Sequence, residues 1–310
     1  MNAKRGPRVV VLVKRTSYRK LILHENDPQI KSLIQKGDPT VRKMRRSHED
    51  HEETVREVRA ALDHLGARAK FLDGPRSPIS GTFDLVMTVG GDGTLLGTSH
   101  QIGPDVPLLG VNSAPKHSVG FFCGAEKGTV LETLRAALDG SLERSLLSRM
   151  RVDLNDTCIH GRVLNEMLFC HASPAATSRY ILRVQDAEGR MEEEEQRSSG
   201  LWIGPAAGST AAQRSAGGRV LPLTSQKLQF VVREPYTPIN VPLHLPVGLC
   251  DQKGVIEIRN KMRESKIFLD GHHTVFDTTI GDVIRCSRSD ETLTVLGLSG
   301  TADHGARNDS

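Results

Sequence analysis

The sequence predicts an α/β N-terminal domain built on a parallel sheet, followed by an all-β C-terminal domain. Two observations carry this. Up to about Ser145, short apolar runs alternate with longer stretches of helical period, as in chains whose strands and helices pack in layers. Beyond it, short runs of period two separated by turn residues replace both. The divisions drawn are 1–145, 146–300 and a disordered tail, 301–310.

The elements follow in order. Arg8 to Val13 is a strand. Leu23 to Arg46, dense in charge and holding two prolines, reads as an exposed loop and short helix over the cleft. SHEDHEETVREVRAALDHLG is a helix with Val55, Val58, Leu62 and Leu65 on one stripe and Gly66 as its stop. A short strand spans Ala69 to Leu72, and FDLVMTV is a nearly continuous apolar strand, as a sheet covered on both faces requires. A helix-compatible stretch follows, then the strand PLLGVN and the amphipathic helix GTVLETLRAALDG. In the second half RVDLND, RVLNEMLFC, RYILRVQD, GLWIGP, KLQFVVRE, GVIEIRN, SKIFLD and DVIRCSR are the strands. LDGHHTVF is a hairpin, because Asp-Gly accepts the positive φ of a tight primed turn.

Composition narrows the function classes. A chain of 310 residues with 37% hydrophobic content can bury a sizeable core. Its formal charge of +4 is spread among mixed acids and bases, which suits a phosphate-bearing small molecule and no nucleic-acid face. The apolar run Val9 to Val13 is too short for a signal peptide, and no stretch approaches the roughly 18 apolar residues of a membrane helix. The expected location is cytoplasmic, without a membrane partner. Cys123, Cys158, Cys170, Cys250 and Cys286 are odd in number and far apart, so reduced, mostly buried thiols are expected.

The stretch "TVGGDGTLLG", Thr88 to Gly97, places glycines around a carboxylate between a strand and a helix. No Gly-Lys-Ser/Thr follows as in a P-loop, and the glycine spacing is not that of the dinucleotide fingerprint. Gly90, Gly91 and Gly93 would let backbone N–H groups approach phosphate oxygens, with Thr94 opening the helix. Asp92 repels phosphate on its own. It makes sense if it takes a proton from an attacking hydroxyl, or shares a magnesium ion with the phosphates. The plainer alternative is a tight turn in which Asp92 caps the helix.

GGDGT is shared by NAD kinases, diacylglycerol and sphingosine kinases and, with Ser for Thr, 6-phosphofructokinases. Three further segments choose among them. "VLNEMLFCH" resembles the Asn-Glu segment of NAD kinases, "SSGLWIGPAAGSTAAQRSAGG" their Gly-Ser-Thr-Ala segment, and "FLDGHH" their late Asp-Gly hairpin. They occur in the family's order after a GVN strand, over roughly residues 80 to 300, and "GVNSAP", "ATSRY", "RSSGL" and "AAGSTAA" are closer to the plant NADH kinase branch. The resemblance implies the two-domain architecture common to NAD and diacylglycerol kinases. It also implies transfer of the ATP γ-phosphoryl group, with Mg²⁺, to the 2′-hydroxyl of the adenosine ribose of NAD⁺ or NADH. Small-molecule nucleotides are the partners, and the family's habit implies a dimer or tetramer.

The resemblance also distributes roles. Asp92 is the catalytic carboxylate. Asn165 offers a donor and an acceptor to an adenine edge, and Glu166 accepts from ribose hydroxyls. Gly208, Ser209 and Thr210, continued by Ala211, Ala212 and Ser215, form a second glycine turn for phosphate or ribose oxygens. Arg179 or Arg197 assists the phosphates. Departures fall on the substrate pocket: Ser199 replaces a common Asp, Ala212 a common Tyr, and His272 a common Gln, while Gly204-Pro205-Ala206-Ala207-Gly208 stands for Thr-Pro-Thr-Gly. A carboxylate lost beside the cationic nicotinamide would cost NAD⁺ at most roughly 3 kcal/mol at about 5 Å and an effective dielectric of about 20. NADH is then expected to be accepted at least as well as NAD⁺.

Other features receive blander readings. His48 and His51 belong to a solvated helix face, Glu192 to Glu195 to a hairpin tip, Cys170 and His171 to opposite strand faces, and Trp202 to the core. Two rival functions remain, a lipid kinase of the diacylglycerol type and a non-catalytic NAD(P)(H)-binding regulator.

Overall fold

A computed structural model describes residues 6–236 and 242–298. The expected tail, 301–310, lies outside them. The chain divides into two units, Met1–Ser145 with Leu293–Ser310, and Leu146–Thr292.

In the first unit, β1 (Arg8–Val13), β2 (Arg68–Asp73), β3 (Leu85–Gly90), β4 (Leu108–Asn112) and β5 (Cys123–Glu126) pair in parallel. Strand β6 (Arg144–Leu147) and the last strand, β19 (Leu293–Leu296), complete a seven-stranded sheet in the order β2-β1-β3-β4-β19-β6, with β5 also on β4. The expectation of an all-β domain running to residue 300 is thus corrected at its end. Val295 pairs in parallel with Leu108, so the chain returns to the first sheet, and Leu293 to Leu296 are all buried there. The mostly apolar runs of β1 and β3 are buried almost throughout, because helices cover both faces of such a sheet.

The covering helices are α1 (Pro28–Gln35), α2 (Arg42–His64), α3 (Asp92–Ser99) and α4 (Val130–Asp139). The segment expected as loop and short helix, Leu23 to Arg46, opens on the end of a π-helical turn, Arg19–His24, holds α1, whose cap Asp27 accepts from Gln29 and Ile30 N–H, and ends inside α2. Helix α2 starts at Arg42, five positions before the expected Ser47. Its stripe Val55, Val58, Ala61 and Leu62 packs on β1 and β3 residues in one core. Gly66 ends it at φ +64. His51 belongs to that buried stripe and not to a solvated face: it is 2% exposed, and its Nδ1 lies 2.8 Å from Ser113 Oγ. Burial holds its imidazole down at about 4.

The second unit is a sandwich. Strands β7 (Met150–Leu154), β8 (Thr157–Val163), β10 (Ser178–Gln185), β11 (Met191–Ser198), β15 (Val255–Asn260) and β18 (Val283–Arg288) form one antiparallel sheet. The other holds β9 (Met167–His171), β12 (Gly200–Gly204), β13 (Leu228–Arg233), β14 (Val247–Cys250), β16 (Ser265–Leu269) and β17 (Thr274–Thr278). Alternate residues of both sheets, among them Phe169, Tyr180, Ile203, Phe230 and Ile258, meet in a single core. A 3₁₀ turn, Ala206–Thr210, and the four-residue α5 (Ala212–Ser215) follow β12.

Three local readings change. Glu192 to Glu195 are no hairpin tip but lie along β11, where Glu194 accepts from the N–H groups of His244 and Leu245. Trp202 is only half-buried; the core is taken by Leu201 and Ile203 on the opposite face. The Asp-Gly hairpin has the expected positive φ, 47 at Asp270 and 104 at Gly271, but its loop is longer, since Leu269 pairs with Thr274. The five cysteines are all free; Cys250 and Cys286 are buried and Cys158 is exposed. No helix among the described residues is long and apolar enough to cross a membrane.

Candidate active site

In the first unit the glycine turn leaves β3 at Gly90 and starts α3 at Asp92. None of Gly90, Gly91 and Gly93 has a positive φ, so no left-handed turn requires them, and at Gly90 and Gly91 the demand is one of packing. A Cβ on Gly90 would lie 2.7 Å from Thr94 Cβ and 3.1 Å from Lys14 Cβ, and one on Gly91 would overlap Ser118 Oγ. Only at Gly93 is there open space within 4 Å. Thr94 is buried, and its N–H donates to Gly91 O at 2.9 Å.

Asp92 does not cap the helix. The cap position is Gly91, without a side-chain bond, and the Asp92 carboxylate turns to the loop before β5. There Phe121 N–H donates to Oδ2 at 3.0 Å and Phe122 N–H to Oδ1 at 2.8 Å. Each oxygen keeps acceptor capacity beyond that one bond. The carboxylate is therefore fixed in orientation yet able to take a further hydrogen bond, as a group that must aim at a reacting hydroxyl requires.

In the second unit "RVLNEMLFC" is not one strand. Strand β8 ends at Val163 in the first sheet and β9 begins at Met167 in the second, so Leu164, Asn165 and Glu166 form the corner between them. A corner inside a sandwich strands backbone donors. The Asp270 carboxylate collects them: Leu164 N–H donates to Oδ2 at 2.8 Å, and Asn165 and Glu166 N–H to Oδ1 at 2.7 and 3.1 Å. Asp270 N–H returns a bond to Glu166 O at 2.9 Å. Sequence reasoning named the hairpin but passed over Asp270 in favour of His272, which is exposed.

The glycine segment closes on this corner. A Cβ on Gly208 would overlap the Asn165 carbonyl and lie 2.7 Å from Asn165 Cα, and one on Gly204 would lie 3.0 Å from Glu166 Cα. The same carbonyl accepts from Gln213 Nε2 at 3.3 Å, and Gln213 Oε1 accepts from Gln229 Nε2 at 3.1 Å, both side chains fully buried. Ser209 is spent on the fold: its hydroxyl donates to Ala206 O and accepts from Leu221 N–H. Thr210, Ala211 and Ala212 are partly exposed beside it, and Ser215 is exposed.

Two buried acceptor atoms of the corner have no partner among the described residues, Asn165 Oδ1 and Glu166 Oε2. Buried polar atoms are seldom left so unless a ligand or water meets them. Burial, and secondarily the Asp270 charge, pushes the Glu166 carboxyl up to about 8. The folded protein thus keeps a proton that the unfolded chain sheds near 4.5; the stability this gives is full below that pH and is lost as pH rises through 8. A ligand donating hydroxyls to Glu166 favours the carboxylate. Nucleotide binding at pH 7 is therefore expected to release a proton, and affinity to rise by up to about tenfold per pH unit as pH approaches 8. Calorimetry in buffers of different ionisation enthalpy measures the release, which Glu166→Gln should abolish; an unchanged release in that variant would refute the assignment.

The structure does not bring the remaining candidates to this corner. Arg179 and Arg197 are cross-strand neighbours on the exposed face of the other sheet. Ser199 precedes β12, whereas Gly204 ends it, a separation of roughly 17 Å along an extended strand. Its hydroxyl donates to Glu234, which places a carboxylate beside it.

The first unit thus carries a glycine-flanked carboxylate at the carboxyl end of a parallel strand, and the second a buried corner with two unpartnered acceptor atoms. Residues 29–141 match the family model for the ATP-NAD kinase N-terminal domain. A probable NADH kinase of Oryza sativa subsp. japonica is 34% identical over 267 residues, covering 79% of this chain and 81% of that one. The NADH kinase of Arabidopsis thaliana is 35% identical over 230 residues, 69% and 72% of the two chains. The chain belongs to the NAD kinase family. Among solved structures, an NAD kinase from Archaeoglobus fulgidus in complex with ATP superposes with TM-score 0.66 at 19% identity over 94% of each chain. Yeast NADH kinase complexed with NADH gives 0.68 at 15% identity over 99% of this chain and 89% of that one.

Proposed function

We propose that the protein transfers the γ-phosphoryl group of ATP to the 2′-hydroxyl of the adenosine ribose of NAD⁺ or NADH, giving NADP(H) and ADP. The observation that carries this is the buried Asn165-Glu166 corner, clamped by Asp270 and short of two partners, in a chain of the NAD kinase family. Asn165 offers its amide to an adenine edge and Glu166 its carboxylate to the ribose hydroxyls. The 2′-oxygen attacks the γ-phosphorus, the bond to the β,γ-bridging oxygen breaks, and the 2′-proton passes to Asp92. The transition state is loose, so holding the oxygen in line matters more than base strength.

Magnesium fits this donor set. Among the described residues no group of three or more His, Cys, Asp or Glu could hold a metal, but magnesium typically takes one carboxylate plus phosphate oxygens and water. With Asp92 taking the 2′-proton, the ion would be held chiefly by the ATP phosphate oxygens and water, and would neutralise charge on the phosphates. The same reading includes a cytoplasmic location and a dimer or tetramer; exposed Val247 and Leu249 on edge strand β14 support an assembly.

Purified protein with Mg·ATP and either dinucleotide, read as NADP(H) formed, tests the proposal. Lipid phosphorylation without NADP(H), or binding without ATP consumption, would transfer it to one of the rivals. NADH is expected to match or exceed NAD⁺ in kcat/KM, as the names of the rice and Arabidopsis relatives suggest. Because Glu234 keeps a charge beside Ser199, the preference should stay within about tenfold, or roughly 1.4 kcal/mol. A strong NAD⁺ preference would sink it.

A further inference from the structure

Arg149 is the bulkiest of the fully buried side chains among the described residues, with 0% of its surface exposed. It stands one position before β7, and its backbone O accepts from Ser289 N–H at 2.8 Å. A guanidinium keeps its charge at neutral pH, and a buried charge is costly unless a counter-charge faces it. Packing does not call for an arginine here, because an apolar side chain would fill the space without that cost.

The counter-charge follows from the strand register. Met150 pairs with Val163 across β7 and β8, so one step further Arg149 lies opposite Leu164, the first residue of the corner. Leu164 N–H donates to Asp270 Oδ2 at 2.8 Å, and Arg149 Nη2 donates to Thr292 O at 3.1 Å. The charges acting on the guanidinium are those of Arg162 on β8, Glu291 and Asp270. Glu291 is engaged by Arg162, whose Nε donates to its Oε2 at 2.6 Å, and its side chain is 42% exposed. Two cations thus face two acids, and Asp270 is the acid left to Arg149. Burial, and then Arg162, hold the guanidinium down at about 10, while Glu291 and Asp270 act the other way.

We infer that Arg149 is a positioning residue for the nucleoside: by neutralising Asp270 it keeps that carboxylate seated on the N–H groups of Leu164, Asn165 and Glu166, and so fixes the corner. Being fully buried, it acts through Asp270 and not by contact with the ligand. It also limits the field that Asp270 puts on Glu166, the second carboxylate of the corner. The inference deepens the kinase reading and rests on it for the identity of the ligand, not for the link between Arg149 and the corner.

NADH affinity measured by fluorescence without ATP, across the pH range in which Glu166 titrates, tests it on the full chain. The variants are Arg149→Met, Asp270→Asn, the two combined, and Arg149→Lys. Arg149→Met should weaken NADH by roughly 10- to 100-fold, since a buried carboxylate loses its counter-charge. The pH at which affinity levels off should move up by about one unit, because the Asp270 charge then bears on Glu166 uncompensated. Removing both charges should cost no more than the worse single substitution, and should return that pH to the wild-type value or below it. Arg149→Lys keeps the charge and should leave that pH in place. In turnover the KM for NADH should rise in Arg149→Met, while kcat and the KM for ATP stay within about threefold. Losses that multiply in the double variant, an Arg149→Met loss of the same factor at every pH, or an Asp270→Asn protein that binds NADH as the wild type does overturns the proposal. Should Arg149→Met fail to fold, recovery of folding in the double variant supports the pairing, and failure of both beside a folded Asp270→Asn overturns it. Should these dependences hold in a protein that makes no NADP(H), the positioning role stands and the kinase reading falls. Should Arg149→Met form NADP(H) with an unaltered KM for NADH, the kinase reading stands and the positioning role falls.

Discussion

Asp92→Asn is expected to remove nearly all turnover, by roughly 10²- to 10⁴-fold, while NADH still binds within a few-fold of wild type. The substitution keeps the size of the side chain, and one oxygen can still accept from Phe121 or Phe122 N–H. What it removes is the charge and one acceptor. The new amide N–H₂ faces a backbone N–H, two donors opposed, so part of the loss is positional. Phosphoryl transfer is sensitive to position, because binding in line supplies much of the rate. Single-turnover assays with saturating ATP separate the chemical step from binding, and NADH fluorescence gives the affinity. A variant that retains a tenth of the wild-type rate would rule out Asp92 as the base. A collapse of thermal stability would instead assign it to holding the Phe121-Phe122 loop.

The sequence makes the fold class legible because a parallel strand buried on both faces has to be almost continuously apolar, as Val9 to Val13 are and as Leu85 to Val89 are but for Thr88. The GGDGT turn is legible for the same reason: it interrupts such a run abruptly. What escapes is decided by partners distant in sequence. The corner at Leu164 to Glu166 hides inside RVLNEMLFC, since changing sheets leaves no mark on composition. Asp270 reads locally as a turn residue, though its carboxylate serves donors more than a hundred positions away. His51 was readable: it stands four residues before Val55 on the stripe that continues through Val58 and Leu62, and the charged residues around it masked that period. Leu293 to Leu296 return to the first sheet with the same apolar alternation as the β-domain strands, so pattern alone assigns them wrongly.

Gly208→Ala is expected to destabilise the second unit by about 3 kcal/mol or more and to weaken nucleotide binding by roughly 100-fold. The reason is contact with backbone. The added methyl would overlap the carbonyl of Asn165 and stand 2.7 Å from its Cα, and no rotamer change can relieve a clash with main chain. Asn165 is held from the other side, since its N–H donates to Asp270 at 2.7 Å. Displacing the carbonyl also breaks its bond from Gln213, leaving buried polar groups unpaired along the Gln213-Gln229 chain. The corner would have to swing, carrying the Asn165 amide and the Glu166 carboxylate out of place together. Gly93→Ala is the control. Nothing lies within 4 Å of its added Cβ and its φ is not positive, so stability should change by no more than about 0.5 kcal/mol. If ligand phosphates pass at Gly93, that variant should lose turnover and keep its Tm, while Gly208→Ala should lose both. Chemical unfolding followed by Trp202 fluorescence, with NADH binding measured on the folded fraction, distinguishes the two. A Gly208→Ala protein of wild-type stability that binds NADH normally would show that Gly208 does not set the shape of the corner.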